Sequence, residues 1–201
     1  MDYYFNYLLR SEKFPQSVYH RSKRMMVETV FRQLPEGSNV LDAGCGSGYL
    51  TGSYAERYRL YGVDEQVEAI NYCKKNYKGN YRISGLDKLP FSDNYFDAVL
   101  LLDTIEHLQQ PIRELLEIKR VLKPGGLLLI CTINYGNPLW WLLENVWHRI
   151  WGESCRTYSK EVHPTRYTPR LLDRHTKPYF EKKFIKLKTL MMELFYLGTK
   201  P

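Results

Sequence analysis

Short continuous apolar runs alternate along the chain with stretches in which apolar residues recur at helical spacing. Within residues 16 to 34, Met26, Val27, Val30, Phe31 and Leu34 share one helical face, and Pro35-Glu36-Gly37 supplies a stop. Asn39 to Ala43 reads as a buried strand, residues 48 to 57 as a helix, and Leu60 to Val63 as the next strand. Gln66 to Tyr77 is predicted helical, with Val67, Ile70 and Cys73 on one side; Tyr81 to Ile83 and Phe96 to Leu102 follow as strands. A helix over 111 to 122 ends at Lys123-Pro124-Gly125-Gly126, because Pro cannot continue it and Gly permits positive φ, and Leu127 to Thr132 forms a fifth strand. Beyond it the pattern gives a helix near Pro169 to His175 and two β-like runs, Lys183 to Lys188 and Met191 to Leu197, suited to a closing hairpin.

Strands joined by helical crossovers build a parallel sheet, so the predicted fold is α/β and doubly wound. At 201 residues and 44% hydrophobic content, one domain is expected. It divides into an N-terminal helical cap (1–36), a cofactor-binding core (37–132), a substrate-side insertion (133–178) and the hairpin (179–201).

Composition narrows the setting. Cys45, Cys73, Cys131 and Cys155 form no CxxC or CxxH pair, so neither a zinc site nor a disulfide framework is suggested, and no metal is expected. Charges enter too early for a secretory leader, and no apolar stretch reaches the length of a spanning helix, which predicts a soluble cytoplasmic protein in a reducing compartment. The net charge of +7 is uneven: residues 133–201 hold twelve Lys or Arg against six Asp or Glu, while 37–132 hold eleven against twelve. A nearly neutral core with a basic C-terminal third fits a region facing something anionic, or simply a solvated surface.

The sharpest local signal is VLDAGCGSGYL, Val40 to Leu50, where a strand ends in Asp42 and opens through Gly44, Gly46 and Gly48. Three glycines in five residues lose much backbone entropy on folding, which a plain turn does not require; bare main chain against a ligand at a strand's carboxyl end does. Asp64 follows the next strand, where an acidic side chain accepts from ribose hydroxyls in this topology. A dinucleotide fingerprint wants glycine where Tyr49 stands, and no Lys-Ser or Lys-Thr follows to hold phosphates and Mg²⁺.

VLDAGCGSGYL, YGVDEQ, LPFSDNYFDAVLLLDTIEHL and RVLKPGGLLLI resemble, in order and spacing, the class I S-adenosylmethionine-dependent methyltransferases, and among them the ubiquinone-biosynthesis and other small-molecule enzymes. The resemblance covers Val40 to Thr132 and implies a seven-stranded, mostly parallel Rossmann-like sheet with an antiparallel last strand. It also implies S-adenosylmethionine as cofactor and S-adenosylhomocysteine as product. Gly44 and Gly46 would approach the methionine portion, Asp64 the ribose and Leu86 and Asp87 the adenine, while Leu102 and Asp103 pass under the sulfonium; Asp42, Gly48 and Glu65 complete the expected cofactor-binding set. One departure stands out: where the family commonly has Asp, just before the LPF block, this chain has Gly85.

A sulfonium carries its own activation, so catalysis rests on holding the nucleophile in line, a term worth about 7 to 11 kcal/mol in well-oriented systems. An oxygen or nitrogen nucleophile must still lose a proton, and His107 in DTIEHL is the candidate base; a framework role is the alternative. On the substrate side the candidates are Tyr19, His163, Arg166 and Tyr167. All four Trp residues fall in 138–151, where Leu139, Trp140, Leu143, Val146, Trp147, Ile150 and Trp151 share a helical face that could be a lid, a packing surface or a peripheral membrane contact. The expected acceptor is a small, apolar or lipid-like molecule. RNA methylation ranks lower, since no RNA-binding module or NPPY-type tetrapeptide is present, and a pseudoenzyme scaffold is the third reading.

Overall fold

The computed structural model describes residues 16–142 and 162–201, with side chains described over 20–140 and 162–201. The described elements are α1 (Gln16–Phe31), β1 (Asn39–Ala43), a 3₁₀ turn (Gly52–Glu56), β2 (Arg59–Asp64), α2 (Val67–Asn76), β3 (Asn80–Ile83) and β4 (Phe96–Leu102). A second 3₁₀ turn (Ile105–His107), α3 (Pro111–Val121), β5 (Leu122–Ile133), α4 (Pro138–Leu142), α5 (Pro169–Thr176), β6 (Glu181–Lys188) and β7 (Glu193–Thr199) complete them.

The strands form one seven-stranded sheet in the order β3-β2-β1-β4-β5-β7-β6. β1 through β5 pair in parallel, and β7 runs antiparallel to both β5 and β6. Both faces are covered, which explains why the central strands read as continuous apolar runs. Leu41, Val99, Leu101, Leu128 and Ile130 point to one face, against Leu115, Ile118 and Val121 of α3 and Leu172 of α5. Their neighbours Val40, Ala98, Leu100, Leu127 and Leu129 point to the other, against Met26, Val27, Val30 and Phe31 of α1 and Ile70 and Cys73 of α2. Alternation within each run thus feeds two cores from the same strands.

Two expectations are corrected. Residues 48–57 are not a full helix: the chain turns after Gly48 and makes only the 3₁₀ stretch, because Thr51 is drawn inward to donate its hydroxyl to Asp42 Oδ2 at 2.5 Å. The fifth strand begins at Leu122 rather than after the glycines; Phe96 pairs with Leu122, the register then slips, and Ala98 pairs with Leu127. Lys123 to Gly126 are absorbed in that irregularity, with Gly125 at φ 74°. Of the expected 138–151 helix, Pro138–Leu142 is described and is helical; Leu143 to Trp151, like Cys155, lie outside the described residues. No described helix is long and apolar enough to cross a membrane.

Candidate active site

β1 lies between β2 and β4, so the strand order reverses there, and crossovers leaving it in opposite directions open a crevice at the strands' carboxyl ends. A cleft of about 610 Å³ occupies that place. Its walls include Asp42, Gly44, Gly46, Asp64, Glu65 and Leu86 from the first half of the sheet, and Leu102, Asp103 and His107 from the end of β4 onward.

The glycine loop has three distinct jobs. At Gly44 (φ 80°) a side chain would bring its Cβ within 2.4 Å of Thr104 Cγ2, so the glycine lets the loops after β1 and β4 close on each other. At Gly46 (φ 48°) an added Cβ would meet nothing within 4 Å, leaving bare backbone facing open space in the cleft. Gly48 (φ 69°) does not line the cleft; its Cβ would meet Cys73 Sγ and Tyr77 at 3.0 Å, so it serves the seating of α2.

Asp64, at the end of β2, accepts from the Gly46 amide at 2.9 Å through Oδ2 and from the Gln66 amide at 2.9 Å through Oδ1. Each carboxylate oxygen keeps a further lone pair. Asp42 is buried; Thr51 occupies Oδ2, while Oδ1 has no hydrogen-bond partner among the described residues. Burial, with a smaller contribution from Asp64 and partial relief from the Thr51 hydroxyl, pushes the Asp42 carboxyl up to about 7.

Gly85, the departure from the family pattern, has a local explanation. A Cβ there would lie 2.8 Å from Glu65 Oε1 and 3.0 Å from Asp87 Oδ1, so an aspartate would bring a third carboxylate against two that would have to shift. Asp87 does not line the cleft: its carboxylate pairs with Arg113 at 3.2 Å.

His107 is exposed and sits on the 3₁₀ turn after β4. Its Nδ1 lies 2.9 Å from the Val162 carbonyl oxygen, and since a carbonyl only accepts, Nδ1 carries the proton and Nε2 is the basic nitrogen. His163 packs against it with ring centroids 4.5 Å apart and bonds Tyr135 through Nδ1. Burial, reinforced by His107, lowers His163 to about 4 and keeps it neutral. Glu106, buried and accepting from Thr132 Oγ1 at 2.8 Å, is raised to about 8 by burial and then by Asp103. Donor atoms of Glu106, His107 and His163 lie within 4.8 Å of one another, a clustering that the sequence spacing did not suggest.

Among the substrate candidates, Arg166 stacks its guanidinium over Tyr135 at 4.8 Å. Tyr167 is fully buried in the core and its hydroxyl meets His175 Nδ1 at 3.2 Å, which takes it away from the cleft and corrects its assignment to the acceptor side. Tyr19 belongs to α1, and its side chain lies outside those described.

Sequence reasoning expected a cap from α1 but did not single out Lys23. His20 lines the cleft edge-on to Tyr49, with centroids 5.6 Å apart, and Arg24 stacks over the same Tyr49 ring at 4.7 Å. Lys23 forms an ion pair with Asp103. Lys23 falls on the buried face itself, four residues before Val27 and seven before Val30, where an apolar pattern gives a charged side chain no assignment. Glu114 of α3 adds a further carboxyl to the cleft wall.

The wall therefore carries five carboxyls, Asp42, Asp64, Glu65, Asp103 and Glu114, with no Lys or Arg among its described lining residues. Such a surface attracts a cation and repels polyphosphate. The one loop amide turned toward Asp64, that of Gly46, is also already engaged by a carboxylate.

Residues 41–130 match the family described as a methyltransferase domain. An uncharacterized methyltransferase of Schizosaccharomyces pombe is 33% identical over 112 residues, covering 48% of this chain and 40% of that protein. The ubiquinone biosynthesis O-methyltransferase of Nitrosospira multiformis is 31% identical over 157 residues, covering 75% of this chain and 57% of its own length. The chain thus spans roughly half the length of these relatives. Among solved structures, a SAM-dependent methyltransferase from Methanosarcina mazei superposes with a TM-score of 0.68 at 22% identity, covering 86% of this chain and 96% of that one, a similarity of fold.

Proposed function

We propose that this member of the class I S-adenosylmethionine-dependent methyltransferases is an active enzyme whose cleft binds S-adenosylmethionine and passes its methyl group in line to an O, N or C atom of a small, lipid-like acceptor. The observation that carries the reading is the acidic wall beside a bare glycine backbone. S-adenosylmethionine brings a sulfonium, an ammonium, a ribose and an adenine, and has no phosphate. Asp42 Oδ1, buried without a partner, suits the ammonium, and the remaining lone pairs of Asp64 suit the ribose hydroxyls. Gly46 admits the ligand against main chain, and Leu86, buried at the cleft edge, offers an apolar surface to a flat base.

When bound, the cofactor supplies an activated methyl carbon whose leaving group is a neutral thioether. The chain's residues then have to orient the acceptor, exclude water and receive a proton. His107 suits the last of these roles, because with Nδ1–H held by the Val162 carbonyl, Nε2 can accept a proton from an acceptor hydroxyl or amine. Neutral, buried His163 backs the His107 ring, and the half-buried Arg166–Tyr135 stack joined to it suits a phenolic or anionic acceptor group. The relative from Nitrosospira multiformis, a ubiquinone biosynthesis O-methyltransferase, supports an acceptor of lipid-like character. The division into cap, core, insertion and hairpin belongs to the same reading, with 1–36 and 133–178 as the acceptor-side additions.

Calorimetry of the full chain with S-adenosylmethionine and S-adenosylhomocysteine tests the cofactor, and labelled methyl transfer to fractionated lysate tests the acceptor. Binding of both ligands is expected. No heat and no thermal stabilisation with either would leave a methyltransferase fold without the activity.

A further inference from the structure

Lys23 is 7% exposed, yet its ammonium reaches the cleft wall and pairs with the carboxylate of Asp103, eighty residues away in sequence. Asp103 sits immediately after β4 with a left-handed backbone (φ 53°), and its other oxygen faces the Cys131 thiol at 3.8 Å. It stands between Leu102 and Thr104 on the wall, and Thr104 abuts Gly44 of the glycine loop. Burial lowers Lys23, but Asp103, together with Cys131 and Glu193, outweighs that effect and holds the ammonium above its ordinary range, so it stays charged. The same helix is fixed nearby by Ser22, whose hydroxyl donates to Glu193.

A buried ion pair is weak evidence for stability, since desolvating two charges costs several kcal/mol each. Its position suggests another use. The other four carboxyls of the wall belong to residues bordering no lining Lys or Arg, whereas the Asp103 charge is balanced from behind the wall.

We propose that Lys23 is a positioning residue which, by pairing with Asp103, withholds one negative charge from the sulfonium side of the cleft and so keeps the reactant from being held more tightly than the transition state. The inference rests on the methyltransferase reading, in which Asp103 lies on the sulfonium side of the cleft. During transfer the bond from the methyl carbon to sulfur breaks, its electron pair stays on sulfur, and the bond to the acceptor forms as the acceptor's proton leaves to a base. Positive charge therefore departs from sulfur. An unbalanced carboxylate beside it stabilises the reactant more than the transition state, which lowers kcat without helping catalysis. Neutralised by Lys23, Asp103 keeps its place in the wall and presents a dipole in place of a net charge.

S-adenosylmethionine and S-adenosylhomocysteine differ by the methyl group and its sulfonium charge, so the ratio of their dissociation constants reads that charge. In Lys23→Met the preference for the sulfonium ligand is expected to rise at least tenfold, the scale of one unit charge within about 12 Å at an effective dielectric near 20. Lys23→Arg is expected to keep the wild-type ratio, and Asp103→Asn, which leaves the ammonium unbalanced, to lower it. A structural clamp alone would weaken both ligands together. A folded Lys23→Met protein whose ratio stays within about twofold of wild type, or falls, overturns the proposal. Should that variant not fold, Asp103→Asn decides: an unchanged or increased ratio overturns it. Wild-type protein that binds neither ligand removes the underlying reading as well, whereas wild-type binding with an unmoved ratio in the variants removes only the role of Lys23.

Discussion

The Gly46 amide donates to Asp64 Oδ2 at 2.9 Å, tying the loop after β1 to the end of the neighbouring β2. Asp64 thereby shapes the glycine loop and offers ribose acceptors from the same carboxylate. Hydrogen bonds to charged groups contribute about 1.5 to 3 kcal/mol each. Asp64→Ala is expected to weaken S-adenosylmethionine binding by roughly ten- to a hundredfold. Calorimetry reads the affinity, and faster hydrogen exchange at residues 44 to 48 reads the loosened loop. Unaltered affinity would remove Asp64 from the cofactor site.

Asp42 predicts a pH dependence of binding. Its carboxyl is held near 7 by burial, and a ligand ammonium facing Oδ1 favours the ionised form, drawing that value down on binding. Binding then releases a proton when the pH is at or below 7. Affinity is expected to be full above 7 and to fall by up to about tenfold per unit as pH drops below it. Titrations in buffers of different ionisation enthalpy detect the proton, and Asp42→Asn is expected to flatten the profile.

The same group has a stability consequence of opposite sense. Its folded value, about 7, lies above the ordinary 3.8, so the folded state binds the proton more tightly than the unfolded chain. Its contribution is present in full below about 3.8 and is lost as pH rises through about 7. Without ligand, Asp42→Asn is therefore expected to gain stability relative to wild type between pH 4 and pH 8, measured as the change in Tm difference. A constant difference would contradict the burial of an ionisable Asp42.

Legibility in the sequence followed range along the chain. The glycine loop, Asp64 and the sheet strands were readable because each depends on neighbours a few residues away or on a short continuous apolar run. The helix expected over 48–57 failed because Thr51 turns inward to Asp42, a contact that no periodicity encodes. The β5 boundary was missed because Leu122 pairs with Phe96 ahead of a register slip, so the proline and glycines interrupt a strand instead of preceding it. Gly85 was visible as a departure, but the Glu65 carboxylate beside it comes from a neighbouring loop. Lys23, joined to Asp103 across eighty residues, lies on the buried face of its helix, and no nearby residue indicates the partner that holds it there. Tyr167 was drawn to the acceptor side by its polar-aromatic surroundings, yet its ring fills the core.

That burial of Tyr167 separates stability from catalysis. Its hydroxyl bonds His175 Nδ1 at 3.2 Å within the core that α3 and α5 cover. Tyr167→Phe is expected to cost about 1 kcal/mol, the typical worth of one internal hydrogen bond, with methyl transfer unchanged. Denaturant unfolding and a turnover assay together check this. A large loss of turnover at unaltered stability would return Tyr167 to the acceptor site.

His107 separates base chemistry from framework. Its Nδ1–H is held by the Val162 carbonyl, and the neighbouring His163, buried and held near 4, is a much weaker base at neutral pH. General-base contributions run to about 10² to 10⁴ in rate. His107→Gln, which keeps a hydrogen-bonding side chain, is expected to lower kcat within that range while S-adenosylmethionine affinity changes by less than about threefold. An acceptor with an already ionised nucleophile would bypass the proton transfer, so raising the pH toward the acceptor's own pKa is expected to restore the variant's rate. A kcat that holds steady in His107→Gln alongside a lower Tm would assign the imidazole to the framework that joins the turn after β4 to the segment entering at Val162.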